Sequence, residues 1–172
     1  MPPVDPARII TRAAAALNEL QAYPTWRAAL DKASVAAVPL LVRSIAPIVE
    51  PRAGMPARPP DYYIVSVTRE NGVSARFAYD AETSDLLEAE GVKLPGGFLK
   101  PYVDPWPIIR SRFPPPSPGA PEVPPATDAV WMPCRQSTNP FAPFYRYHVE
   151  GKPLYVRIDG AVYEALTITG RG

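Results

Sequence analysis

The segment FYRYHVEGKPLYVRIDGAVYEALT, residues 144–167, narrows the possible folds more than any other stretch. Apolar and polar residues alternate in three short runs, and a glycine stands in each gap between them. Alternation with a period of two marks a strand with one buried face, and short glycine-containing gaps mark tight hairpins. A type II′ turn at Gly151-Lys152 sets Val149 opposite Leu154, Tyr147 opposite Val156 and Tyr145 opposite Ile158. A type I′ turn at Asp159-Gly160 sets Ile158 opposite Ala161, Val156 opposite Tyr163 and Leu154 opposite Ala165. Together these registers give one apolar face of Tyr145, Tyr147, Val149, Leu154, Val156, Ile158, Ala161, Tyr163 and Ala165. On the other face, Arg146 stands opposite Arg157 and His148 opposite Tyr155.

A second β signal, YYIVSVTRENGVSARFAYD, covers residues 62–80. A two-residue Asn71-Gly72 turn would set Val67 against Arg76. A three-residue loop over Glu70-Asn71-Gly72 instead pairs Val67 with Ala75, Val65 with Phe77 and Tyr63 with Tyr79, so apolar meets apolar. The second register is preferred, because a slip of one residue reverses which side chains reach the core. The opposite face, with Ser66, Thr68, Ser74 and Arg76, is then at least partly wet. DAETSDLLEAEGV, residues 80–92, reads as a turn followed by a short helix or a third strand.

Helix signals come first in the chain. Asp5 can cap, Pro6 suits the first helical position, and Ile9, Ile10, Ala13, Leu17 and Leu20 recur on one face. Pro24 ends that helix, a second starts near Thr25 with Trp26, Ala29 and Leu30 on one face, and a third is predicted between Pro39 and Glu50. PRAGMPARPP, residues 51–60, reads as a linker.

The chain holds 25 prolines in 172 residues, and nine of them fall between Pro105 and Pro125. Proline lacks the amide donor and fixes φ, so residues 93–143 are predicted to be irregular and partly polyproline II. Trp106, Phe113, Trp131, Phe141 and Phe144 punctuate this stretch and its end, and are candidate partner contacts.

With 18 basic and 17 acidic residues and no block of like charge, the chain has no electrostatic footprint for nucleic acid. The single cysteine, Cys134, excludes an intrachain disulfide and fits a reducing compartment. The first twenty residues have no charged start followed by a continuous apolar run, and VAAVPLLVRSIAPIV is too short and broken to span a bilayer. A cytoplasmic location without membrane insertion is therefore expected.

His148 is the only histidine, so any nucleophile–base pair would have to use it, with Cys134 as the sole thiol partner. Its mid-strand position, with no motif around it, argues for a surface histidine and a packed thiol. One histidine and one cysteine do not make a structural zinc set, and LPGG at 94–97 is not a phosphate loop. No cofactor is expected. Arg146, His148, Tyr155 and Arg157 remain a candidate anion or ligand site, because two arginines facing each other invite an acid or an anion between them. The plainer reading is that the chain's own carboxylates fill that role.

YYIVSVTRENGVSARFAYDAETSDLLEAEGV, residues 62–92, resembles a PepSY-type unit, in which a hairpin precedes a pattern of the form V-D-A-x-T-G-E followed by two apolar residues. Tyr79 to Leu87 stand in that place, with Ser84 where the pattern has glycine. The resemblance implies a small cystatin-like arrangement of helix against antiparallel sheet. It also implies a non-catalytic binding or inhibitory module, and carries over no catalytic residues.

The fold expected is a single α+β domain. A helical part at 1–50 leads through a linker at 51–60 to a first β unit at 61–92, a proline-rich irregular segment at 93–143 and a β-meander at 144–168. The function expected is a non-enzymatic protein-interaction module, an accessory subunit or adaptor whose partner is another protein or a second copy. The alternatives are a small-ligand or anion binder, or a minor enzyme, using the sheet face around Arg146, His148 and Arg157, and a peptidase-inhibitor-like protein.

Overall fold

The chain is α+β with mostly antiparallel strands in a computed structural model that describes residues 2–45, 60–70, 72–92, 97–112, 128–149 and 151–167. Its contacts divide into two compact units, Met1–Pro101 and Tyr102–Gly172. Most of the linker at 51–60 and the whole proline run after Arg112, with Phe113, lie outside the described residues.

In the first unit, helix α1 spans Pro6–Ala22. Asp5 accepts a hydrogen bond from the Ala7 amide at 2.9 Å, and Pro6 occupies the first turn, where its missing donor is no loss. The stripe predicted from the sequence is the buried one: Ile9, Ala13 and Leu17 are buried, and Ile10 and Leu20 pack beside them. The second helix is a single turn, α2 at Pro24–Arg27, after which the chain turns and buries Ala29 and Leu30.

No helix forms in the described part of 39–50. The chain instead makes strands β1, Ser34–Val35, and β2, Leu40–Ser44. A short apolar run does not distinguish helix from strand by period alone. The deciding factor is long-range, since β1 and β2 both pair with β3, Tyr62–Arg69, with Val35 opposite Val67 and Leu41 opposite Tyr63. Asp61 anchors the end of β2: its carboxylate accepts from the Ser44 amide at 2.9 Å and from Arg43 at 2.8 Å.

Strand β4, Gly72–Asp80, pairs with β3 in the predicted register, Val67 with Ala75, Val65 with Phe77 and Tyr63 with Tyr79. The predicted three-residue loop is corrected: Gly72 pairs with Arg69 inside the ladder, and the extra residue is absorbed at a bulge by Ser74. Tyr63, Val65, Val67, Ala75, Phe77 and Tyr79 form the core with the α1 stripe and Leu30. The reverse face is drier than predicted, because Ser74 and Arg76 are buried. Beyond Val92 the backbone returns to β4, where the Leu99 amide donates to Val73 at 2.7 Å and Arg76 bonds the Lys100 carbonyl.

Residues 80–85 form the turn that launches β5, Leu86–Gly91, the strand alternative of the sequence reading. The Asp80 carboxylate accepts from the amides of Glu82 and Thr83, and buried Ser84 adopts φ 64° where the resembled pattern has glycine. The strand order is β5-β4-β3-β2, with β1 also on β3.

The second unit contains helix α3, Trp106–Arg112, and strand β6, Asp128–Trp131, inside the segment predicted to be irregular. The Asp104-Pro105 start was a legible helix signal: Asp104 accepts from the Trp106 amide at 3.0 Å. Strands β7, Phe144–Val149, β8, Lys152–Arg157, and β9, Val162–Tyr163, form the meander, in the order β6-β7-β8-β9. Ile109 of α3 packs with Tyr147, Leu154 and Val156 on one face.

Both predicted turns are corrected. Val149 faces Lys152 and Tyr147 faces Leu154, so Lys152 belongs to the strand and not to the turn. A shift of two residues preserves every face. The second loop has three residues, with the Arg157 amide bonded to the Ala161 carbonyl at 2.8 Å and Gly160 at φ 92°. This one-residue slip sets Val162 opposite Val156 in the core and moves Tyr163 to the other face, opposite Tyr155, while Ala165 is exposed.

Two measurements check this packing. Burial pushes the phenols of Tyr79 and Tyr147 up to about 12, and the Tyr79 hydroxyl has no hydrogen-bond partner among the described residues. Above pH 10 the unfolded phenols ionise while the folded ones keep their protons, so stability falls between pH 10 and 12 by about 1.4 kcal/mol per pH unit for each. In denaturant titrations, Tyr79→Phe holds or raises stability at pH 7 by about 1 kcal/mol and flattens this alkaline decline. Ser84→Gly, which trades a left-handed residue for a lost hydroxyl bond, changes stability by less than about 1 kcal/mol. By contrast, Ser84→Val lowers it by about 2 kcal/mol or more, because a β-branched side chain resists this backbone and the site is packed.

Candidate functional site

The meander brings the four predicted ligand residues to one face, but not as a cluster of free cations. Arg146 stands opposite Tyr155 rather than Arg157, and His148 stands opposite Pro153. Each arginine has its own carboxylate. Arg146 reaches Asp128 of β6 at 3.3 Å, and Arg157 grips Asp159 through two bonds of 2.9 and 2.6 Å. The repulsion between facing arginines, which motivated an anion there, does not arise in this register.

Arg157 is the better built of the two. Besides Asp159 it donates to the Gln136 carbonyl, and its guanidinium lies 5.8 Å from the centre of the Tyr163 ring. Gln136 in turn accepts from the Thr167 amide at 2.9 Å, and Arg135 donates its amide to the Thr167 carbonyl at 2.8 Å. One side chain thus ties the end of β8 to the Cys134–Ser137 turn. The hydrogen bond to Asp159 raises the pKa of Arg157 and lowers that of Asp159. Tyr155 and Tyr163 both meet Phe144 edge to face, at 6.3 and 6.0 Å. This face is a self-neutralised polar and aromatic layer.

The aromatic residues singled out as partner contacts are largely interior. Trp131, Phe141 and Phe144 are buried, and Trp106 packs beside the α3 core. The Trp131 indole donates to the Ser137 hydroxyl at 3.3 Å, and the Phe141 carbonyl accepts from Tyr102. Cys134 is fully buried and joined to Ser137 by backbone bonds, whereas His148 is exposed, and no hydrogen bond joins the two. Among the described residues no three histidine, cysteine, aspartate or glutamate side chains group as a metal site requires. No helix among them is long and apolar enough to cross a membrane.

Two features of the first unit escaped the sequence reading. A surface cavity of about 370 Å³ is lined by Asp31, Lys32, Arg69, Glu70 and Phe98. Arg69 lies over the Phe98 ring at 5.4 Å, and the charged lining residues, two of each sign, sum to no net charge. The other is the edge of β5. Among the described residues no strand pairs with its outer side, and Leu86 and Leu87 are 49% and 48% exposed. An open edge presents a row of backbone donors and acceptors to any added strand. The alternation in LLEAEG was its signal in the sequence.

Comparisons of the chain with protein-family models, with curated proteins and with solved structures found no match.

The two arginines are expected to separate on mutation. Arg157→Ala lowers stability by about 1–2 kcal/mol, a figure discounted for the partly exposed Asp159, while Arg146→Ala lowers it by at most about 0.5–1 kcal/mol. Because the carboxyl of Asp159 is held below its unfolded value, the Arg157–Asp159 contribution is present above the unfolded pKa and is lost as pH falls through the folded one. Thermal melts from pH 6 to 3 should show the gap between wild type and Arg157→Ala narrowing below about pH 4.

Proposed function

We propose that the chain is a non-enzymatic protein-interaction module that receives a partner's strand on the open edge of β5. The observation that carries this reading is the pairing of a free backbone edge with two half-exposed leucines, Leu86 and Leu87. Main-chain hydrogen bonds to an added strand supply affinity, and side-chain pockets beside the edge supply selectivity. The core beneath is suited to carry such a contact, since β5 is hydrogen-bonded along β4, whose other side is held by β3. The resemblance of residues 62–92 to PepSY-type units, which are non-catalytic binding modules, supports the same reading. Cytoplasmic placement belongs to it, on the strength of a single cysteine.

The neutralised Arg146 and Arg157 and the buried aromatic residues move the interaction surface away from the positions singled out by sequence. Native mass spectrometry of the gently purified chain from its source cells is the test. The expected spectrum shows a retained protein at defined stoichiometry. That species is lost in the double variant Leu86→Glu, Leu87→Glu, while circular dichroism and Tm stay close to wild type, because both side chains are already half in water. A free monomer in the wild-type spectrum overturns the proposal.

A further inference from the structure

We infer that the strand received at β5 belongs to a different protein and alternates basic with aliphatic residues. This rests on the interaction reading above and assigns the partner's chemistry. The β4–β5 register sets Ala78 opposite Glu88 and Arg76 opposite Glu90, so both glutamates share one face. Phe77 stands opposite Ala89 and Ala75 opposite Gly91, and a bulge at Leu87 brings Leu86 opposite Tyr79, which puts these apolar residues on the side of the sheet that carries the α1 core. Trp26 borders that same face, lying so close over Gly91 that a Cβ there would sit 2.5 Å from its ring. A neighbouring strand aligned with β5 therefore meets leucine, alanine and indole on one side and carboxylates on the other.

The two carboxylates are not equivalent. Glu90 already binds buried Arg76 at 2.8 Å. Glu88 is exposed, and among the described residues no ion pair engages it. The residue directly across from Glu88 on an added strand is favoured when it is lysine or arginine and disfavoured when it is acidic.

The same geometry argues against a second copy. A two-fold pairing of β5 with itself, centred on Glu88, sets Glu88 against Glu88; centred on Ala89, it sets Glu88 against Glu90. Both of these registers set like charges against each other across the new ladder, and one centred on Leu87 sets Glu88 against Leu86, so none of the three offers Glu88 an opposite charge. A basic-aliphatic strand has neither conflict, since its aliphatic side chains fall beside Leu86, Ala89 and Trp26.

The experiment uses the full chain and three capped peptides that alternate valine with lysine, with glutamate or with serine. Fluorescence anisotropy measures binding, and amide hydrogen exchange over Leu86–Gly91 locates it. The lysine peptide is expected to slow exchange across β5 and to bind about tenfold more tightly than the glutamate peptide, with the preference shrinking as salt is raised. Glu88→Lys, a change at an exposed position, is expected to reverse the preference at unchanged Tm. If the serine or glutamate peptide protects β5 as well as the lysine peptide does, the basic partner is overturned while the interaction reading stands. Binding of the lysine peptide without slower exchange in β5 overturns the docking place. Concentration-dependent dimerisation that protects β5 in the absence of peptide overturns the choice of a different protein.

Discussion

Strand β3 occupies the position on which the first unit depends, because both of its backbone edges are taken. On one side β1 and β2 pair with it in succession, and on the other β4 runs its whole length. A strand with both edges filled leaves no backbone donor or acceptor to seek another partner, so its side chains alone decide what packs where. Tyr63, Val65 and Val67 present one face to α1, and the Tyr63 hydroxyl reaches back to the Val4 carbonyl ahead of the helix. The helix, the hairpin and the anchoring of β2 by Asp61 all follow from that central placement.

Charge in both units is handled locally. Arg43 meets Asp61, Arg76 meets Glu90, Arg146 meets Asp128 and Arg157 meets Asp159. Arg76 is the most deeply placed, and its pair with Glu90 joins β4 to β5 across the face that the sequence pattern suggested would be wet. A buried guanidinium is tolerated only with partners for its charge, which Glu90 and the Lys100 carbonyl provide. Such pairing leaves little unbalanced charge on the meander to attract an anion. What remains open on the first unit is an edge of backbone, with Glu88 beside it.

Much of the local structure was legible in the residue order. Asp5-Pro6 and the Ile9/Ala13/Leu17 stripe specified α1, and apolar matching specified the pairing of Val65 with Phe77 and Tyr63 with Tyr79. Prolines misled in one place: Pro105 and Pro107 suggested irregular chain, whereas a short helix accepts proline in its first turn. The run from Pro39 misled in another, because five residues of mixed aliphatic character suit a helix or a strand equally until a neighbour supplies hydrogen bonds.

The sequence by itself determined which residues alternate and hence which faces of the long hairpin and of β7 and β8 turn inward, since the period of two survives any even shift in pairing. It also determined that Arg146, His148, Tyr155 and Arg157 share a face. Only the tertiary structure decided what those residues meet. The three-residue loop at Ile158-Asp159-Gly160 brought Tyr163 and Asp159 to Arg157, and β6 brought Asp128 to Arg146. Loop length and distant strand pairing depend on backbone closure and on groups far away in the chain, and no local pattern encodes them.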